Sequence, residues 1–367
     1  MIESARHHGG ERTGSASRTF TTAGSAGASY PTGVKVLLTG GAGYIGSTTA
    51  TALEAAGHTP VVLDSLVTGA REFVAGRAFY RGDIADRALV RRVLDEHPDI
   101  RCTVHMAARV DVPESVDRPA LYYRENLGKS IELLDELARN GMHRLVFSSS
   151  ASVYAASGAE EVHEGSTIGP ASPYARTKAM VEQVLADLSA AGGLQALVLR
   201  YFNPIGSDPG LRSGVHVREP SHVLGQMVAV AHGRQPAFRL TGVRLPTRDG
   251  TGIRDYVHVW DVARAHVNAV ERFDEVVAEE CRPWVPLNLG TGRGVTVREL
   301  LQIVEDVLGR SVPTIEAPAR PGDPVGAYAN VDKARRLLGW SAELSVEDGV
   351  RSALAWADRR EQVLGYP

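Results

Sequence analysis

The chain has 367 residues, a formal net charge of −3 and 43% hydrophobic residues. That length suggests one large domain or two smaller ones, with enough apolar side chains for a sizeable core. The charge gives no basic field for nucleic acid, and no apolar run approaches the ~18 residues that span a membrane. Cys102 and Cys281 are the only cysteines, which excludes a disulfide framework and a cysteine-rich zinc site and fits a cytoplasmic, reducing compartment. No metal site is expected.

Residues 1–33 are rich in Gly, Ser, Thr and Ala and poor in large aliphatics. Such a segment buries too little surface to offset its ordering entropy, so a disordered extension is expected there. It lacks the apolar core of a secretory signal. His7 and His8 read as part of a solvated tail.

The ordered part begins at Val34. VKVLLT reads as a buried strand, and Gly40-Gly41-Ala42-Gly43-Tyr44-Ile45-Gly46 follows it directly, with a helical pattern to Ala56. Strand, glycine turn and helix in this order point to dinucleotide binding, with the pyrophosphate at the helix N-terminus. Glycines 41, 43 and 46 fit one spacing of the motif; glycines 40, 43 and 46 fit another. The second strand ends at Asp64, which can accept both ribose hydroxyls of adenosine and would repel a 2′-phosphate, so NAD is favoured over NADP. AFYRGDI is a third strand; Asp83 at its end either contacts adenine or caps the following helix. RCTVHMAA is a fourth, and the residues at its end, Met106, Ala107 and Ala108, let a cofactor lie close over the sheet.

Residues 119–140 form a helical pattern with Leu127, Ile131, Leu134 and Leu137 on one stripe, and Asn126 lies within it, either solvated or functional. A fifth strand, LVFSSS, ends in hydroxyls at Ser148, Ser149 and Ser150. The next helix carries Tyr174 and Lys178 one turn apart, with Val181, Val184, Leu185 and Leu188 on its buried side. With 11 Tyr and four Lys, about 0.1 such pairs is expected by accident. A neighbouring ammonium lowers a phenol's pKa, and Ser150 could hydrogen-bond the same substrate oxygen. Together they make a base for an alcohol while a nicotinamide takes the hydride. LQALVLRYFNP, 194–204, is a sixth strand. Alternation of strands and helices over about 170 residues implies an α/β doubly wound parallel sheet, with ligands beyond its C-terminal strand ends. Residues 34–204, with a returning segment near 254–290, are expected to bind the cofactor. Residues 205–253 and 291–367 are expected to form a smaller substrate domain.

Taken together, TGGAGYIGS, GDI, ESV with a following YY, FSSSASVY, SPYARTK, RYFNP, PTRDGTGIRDYVHV and RPGDP resemble the UDP-glucose (UDP-galactose) 4-epimerases of the extended short-chain dehydrogenase/reductase superfamily. The resemblance runs from about Val34 to the C-terminus. It implies reversible oxidation at C4 of a UDP-hexose by bound NAD, with Tyr174 as base, Lys178 holding the nicotinamide ribose and Ser150 on the same oxygen. It further implies NAD contacts from Tyr44, Ile45, Asp64, Asp83, Ile84, Asn126 and Phe202, and UDP-sugar contacts from Asn203, Arg254, Arg320 and Asp323. It also implies a homodimer built from the 119–140 helix and the Tyr174 helix.

The chain departs from the pattern in several places. Related dehydratases carry an Asp-Glu pair where Ala151 and Ser152 stand, so β-elimination is disfavoured. Val110 replaces a lysine of some epimerases, Ala155 and Ala156 stand where a glycine is common, and Ser221-His222 replaces an Asn-Asn pair of the uridine-binding segment. Ala327 aligns with the position that gates the C2 substituent, and its small side chain leaves room for an N-acetyl group, so UDP-N-acetylhexosamines are a second substrate class to expect. The rival readings are another nucleotide-sugar reductase, such as a uronate epimerase or decarboxylase, and a non-catalytic NAD-binding scaffold.

Overall fold

A computed structural model describes residues 33–156, 160–318 and 325–366. The extension expected at 1–33 lies outside the described residues except for Gly33, and so do Arg320 and Asp323. The chain alternates as expected: β1 (Lys35–Thr39), α1 (Tyr44–Ala55), β2 (Thr59–Asp64), β3 (Ala78–Arg81), α2 (Arg87–Glu96), β4 (Ile100–His105), α3 (Val112–Asp117), α4 (Pro119–Tyr122), α5 (Lys129–Arg139), β5 (Arg144–Ser150), β6 (Glu161–Val162), α6 (Pro173–Ala190) and β7 (Gln195–Tyr201). There follow β8 (Asn203–Ile205), α7 (Val223–Ala231), β9 (Phe238–Thr241), β10 (Ile253–Arg254), β11 (Tyr256–His258), α8 (Val259–Glu271), α9 (Phe273–Glu280) and β12 (Trp284–Leu289). The last elements are β13 (Val295–Thr296), α10 (Val297–Leu308), β14 (Thr314–Ala317), β15 (Gly326–Ala329), α11 (Asp332–Leu338) and α12 (Val346–Leu364).

Seven strands form one parallel sheet in the order β12-β7-β5-β4-β1-β2-β3. The order reverses between β1 and β4, the topological switch point at which doubly wound sheets open a crevice beyond their strand ends. The returning segment supplies β12, which pairs with β7 from Trp284↔Ala196 to Leu289↔Tyr201. Near-continuous apolar strands suit a sheet covered on both faces. One face packs Leu37, Val61, Phe147 and Val198 against Val90, Leu133, Leu137, Val181 and Leu185 of α2, α5 and α6. A second cluster joins Leu224, Phe238, Tyr256, Leu300 and Val350 across the later elements. The Tyr174 helix buries the side expected of it, with Val181 and Leu185 fully inside and Val184 and Leu188 at the margin.

Two expectations are corrected. LQALVLRYFNP is two strands, since β7 ends at Tyr201 and β8 pairs in parallel with β11 in a separate ladder. Phe202 makes the last bond to the main sheet, its N–H donating to Leu289 O at 3.1 Å. Pro204 has no N–H to continue a central strand. The 119–140 helix is interrupted by a π-helical stretch at Tyr123–Gly128. Its wider winding shifts the phase of α5. Ile131 is left 41% exposed, and Leu133 joins Leu134 and Leu137 inside.

Among the described residues no helix is long and apolar enough to cross a membrane. Leu133, absent from the stripe read in the sequence, is fully buried. Leu133→Ala is expected to cost about 2–5 kcal/mol in urea unfolding; an unchanged midpoint would refute the shifted phase.

Candidate active site

The C-terminal strand ends place the expected residues along one edge of the sheet. Beyond β1, Gly40 takes a positive φ of 75°. A Cβ there would lie 2.6 Å from Ala107 N, so the turn and the exit of β4 touch through backbone alone. A Cβ on Gly46 would collide with Gly40 O, and one on Gly41 would meet Val62 at 2.8 Å. Gly43 is the N-cap of α1, and a Cβ there would lie 3.4 Å from Gly40 O. Within the protein, 40 and 46 close the turn, and 41 packs on β2. No side chain caps α1, so its first-turn N–H groups face outward unclaimed by a protein acceptor. Half-buried Tyr44 and Ile45 open the helix, and the Tyr44 hydroxyl donates to Gly206 O at 2.7 Å. This cradle suits a diphosphate.

Asp64, 8% exposed at the end of β2, accepts from Ala42 N at 3.0 Å and from Leu66 N at 2.8 Å. Its carboxylate is thereby fixed beside the glycine turn. Asp83 is not the cap of α2, a role taken by Asp86 through Leu89 N. Asp83 accepts from Ala85 N at 2.9 Å and pairs with Lys129 at 2.6 Å, and Ile84 beside it is buried. Burial alone would raise the Asp83 carboxyl, but Lys129 and the Ala85 N–H hold it below the usual range. Met106, Ala107 and Ala108 are half-buried at the exit of β4.

Asn126 is 3% exposed, in the π-helical stretch, and not solvated. It accepts from Arg109 N at 2.8 Å and donates to Arg109 O at 2.9 Å and to Thr177 Oγ1 at 3.2 Å. It thus ties the β4 exit to α6. A second chain supports it from below: Thr39, His105 and Ser130 are linked at 2.8 and 2.9 Å, and Ser130 donates to Asn126 O at 2.5 Å.

Ser172 caps α6 by accepting from Ala175 N, with Pro173 in the first turn, and this starts the helix one residue before Tyr174. Tyr174 is 9% exposed and its phenol lies near the Ser150 hydroxyl. Burial pushes its phenol up to about 12, and the Ser150 hydroxyl opposes that rise. Ser150 Oγ also accepts from Ser152 N at 3.2 Å. Lys178 is 4% exposed; its ammonium donates to Ser148 O at 2.7 Å and lies 4.9 Å from the centre of the Phe147 ring. Burial draws it down to about 8, and Glu182 opposes that fall. In this geometry the Lys178 ammonium is bonded to the Ser148 carbonyl, and burial outweighs the Ser150 hydroxyl at the Tyr174 phenol.

Farther along the edge, Phe202 packs with Val153, Tyr154, Val162 and Ala329. Asn203 donates from N and Nδ2 to Asp255 O, at 3.0 and 3.2 Å. Arg254 lies in β10, opposite Ala327 of β15, and donates to Ile253 O at 2.7 Å. Two buried acids went unread in the sequence. Asp255 accepts from Thr291 N, Thr291 Oγ1, Gly292 N and Ala329 N at 2.6–3.1 Å, which locks the β12 turn and β15 beside Asn203. Glu182 pairs with Arg200 at 2.5 Å. The available signal for the second was a guanidinium inside the apolar run LQALVLRYF.

The model of the NAD dependent epimerase/dehydratase family matches residues 36–285. The chain is 40% identical over 333 residues to the UDP-glucose 4-epimerase of Azospirillum brasilense, covering 90% of this chain and 94% of that one. Among solved structures, the UDP-glucose 4-epimerase of Stenotrophomonas maltophila, with bound NAD and formylated UDP-arabinopyranose, has a TM-score of 0.84 at 39% identity, over 90% of this chain and 99% of that one. The enzyme of Bifidobacterium longum, in complex with NAD+ and UDP, has a TM-score of 0.84 at 32% identity, over 90% and 99% of the two chains. The chain belongs to the NAD dependent epimerase/dehydratase family and, within it, to the UDP-glucose 4-epimerases.

Proposed function

We propose that this chain interconverts UDP-glucose and UDP-galactose by reversible oxidation at C4 of the sugar. The observation that carries this reading is the placing of Ser150 at the end of β5 beside buried Tyr174 of α6, with Lys178 one turn away and no acid at 151 or 152. NAD held along this edge by the glycine turn and Asp64 would supply a reversible hydride acceptor for C4.

The glycine cradle and the α1 N-terminus take the diphosphate of the cofactor, and the Asp64 carboxylate takes the adenosine ribose hydroxyls. Ile84, Ala107, Ala108 and Phe202, at or just beyond the ends of their strands, are assigned to the cofactor's apolar contacts. Asn126 and Asp83 act behind these, since their polar atoms already bond Arg109, Thr177, Ala85 and Lys129. Tyr174 Oη takes the proton from the sugar 4-hydroxyl and gives it back after the sugar has turned over. Ser150 Oγ holds the same oxygen. Lys178, one turn from Tyr174 and bonded to Ser148 O, is placed to hold the nicotinamide ribose. The Arg254 guanidinium, a planar fork, suits two oxygens of the UDP diphosphate, with Asn203 beside it. Arg320 and Asp323 join them on the RPGDP motif alone. Residues 34–204 with a returning segment near 254–290 form the cofactor domain, and 205–253 with 291–367 the substrate domain. Without an acid after Ser150, the 4-keto sugar has no group to drive elimination and returns to the alcohol.

Ile131 on α5 and Met180 on α6 are 41% and 42% exposed. We propose that these helices meet their copies in a homodimer. The unpaired thiols Cys102 and Cys281 fit a cytoplasmic setting.

Tyr174→Phe is expected to lower epimerisation of UDP-galactose by about 10²–10⁴-fold while the purified protein keeps its NAD; a rate within a few-fold of wild type would rule Tyr174 out as the base. In sedimentation velocity at micromolar concentration the wild type is expected to run as a dimer. A single monomer boundary would refute the interface.

A further inference from the structure

The helix that carries the base holds a third ionisable group that the reaction has not used. Glu182 follows Lys178 by one turn and Tyr174 by two, and it is 5% exposed. It faces Arg200 of β7, 2% exposed, whose Nη2 donates to Oε2 at 2.5 Å and whose Nε donates to Oε1 at 3.0 Å. Ser149 Oγ donates to the same carboxylate. Arg200 Nη1 reaches on to the Tyr154 hydroxyl and to Glu164 O, both at 3.1 Å, and Tyr154 donates to Asn288 Oδ1 at 2.6 Å. Ser149 and Arg200 are register partners, as are Ser150 and Tyr201.

Each member of this cluster therefore sits next to a residue of the reaction centre. Ser149 precedes Ser150. Arg200 lies two and three residues before Phe202 and Asn203. Glu182 is on the helix of Tyr174 and Lys178. We propose that the buried Glu182–Arg200 pair is the positioning and charge-balancing unit of the reaction centre, fixing α6 against β5 and β7 and giving Lys178 its counter-charge. The inference rests on the reaction proposed above.

The charges around Lys178 support the second part. On its own helix stand Tyr174 and Glu182. His105 of β4 faces it and is held neutral by burial, down to about 3. His266 of α8 reaches Ser148 Oγ at 3.2 Å and is likewise held neutral, down to about 4. Tyr201 of β7 stays a neutral phenol, pushed up by burial. Glu182 is the carboxylate that opposes the fall of Lys178. Arg200 sets how much of that negative charge Lys178 feels. A buried pair with one member removed leaves the other charge uncompensated. The two removals then act on Lys178 with opposite signs: loss of Glu182 makes its ammonium easier to deprotonate, and loss of Arg200 makes it harder.

The test is the pH profile of kcat for UDP-galactose epimerisation by NAD-loaded protein. Glu182→Gln should lower kcat at least tenfold and move the alkaline limb to lower pH. Arg200→Gln should lower kcat and move that limb to higher pH. Glu182→Asp should lower kcat and leave the limb where the wild type has it. A pair that serves folding alone would cut activity evenly across pH, and unmoved limbs in the Gln variants would overturn the inference. If one Gln variant does not fold, the other carries the test with its own sign. If neither folds, a displaced limb in Glu182→Asp overturns it. An inactive wild type would instead sink the proposed reaction, so the two failures are distinct.

Discussion

Three ionisable side chains, Tyr174, Lys178 and Glu182, are buried along one face of α6 against an apolar sheet. Burying them unpaired would cost several kcal/mol each. The surroundings are arranged to avoid that cost. The Ser150 hydroxyl lies near the phenol, the Ser148 carbonyl takes the ammonium, and Arg200 and Ser149 take the carboxylate. These partners are consecutive on β5 or in register with it on β7. The docking of α6 is thus set by polar bonds as much as by Val181 and Leu185, and the reaction centre follows from where the helix must sit.

The cofactor side obeys a different constraint, close approach of backbone to backbone. Gly40 and Gly46 bring the first turn against the exit of β4, and Asp64 fastens the turn through Ala42 N. Asn126, reoriented by the π-helical stretch, pins Arg109 and reaches Thr177 between Tyr174 and Lys178. The two halves of the edge are therefore joined mechanically. Removing the Asn126 side chain would loosen both at once.

Much of this was legible in the residues. Apolar runs ending in GGAGYIG, Asp64 and SSS announced the parallel sheet and its active edge, because fully buried strands and a glycine turn leave strong local signals. What failed was set by contacts distant in sequence. LQALVLRYFNP reads as one strand, and only the partners β12 and β11 divide it. The stripe through Ile131 assumed regular winding, and the π-helical stretch carries no sequence mark. Asp83 met Lys129, 46 residues on, in place of a helix end. That the Lys178 ammonium would bond the Ser148 carbonyl, 30 residues back in the chain, was not visible from its spacing to Tyr174. The Glu182–Arg200 pair was visible only as charges inside apolar patterns.

The central claim is that a hydride leaves C4 of the sugar and returns to the same carbon within one closed site. The most direct measurement is turnover of UDP-galactose deuterated at C4 by the NAD-loaded protein, with the product analysed by NMR. UDP-glucose that keeps its deuterium at C4 and gains none from water is the expected result. Loss of the label to solvent, or no UDP-glucose at all, would contradict it.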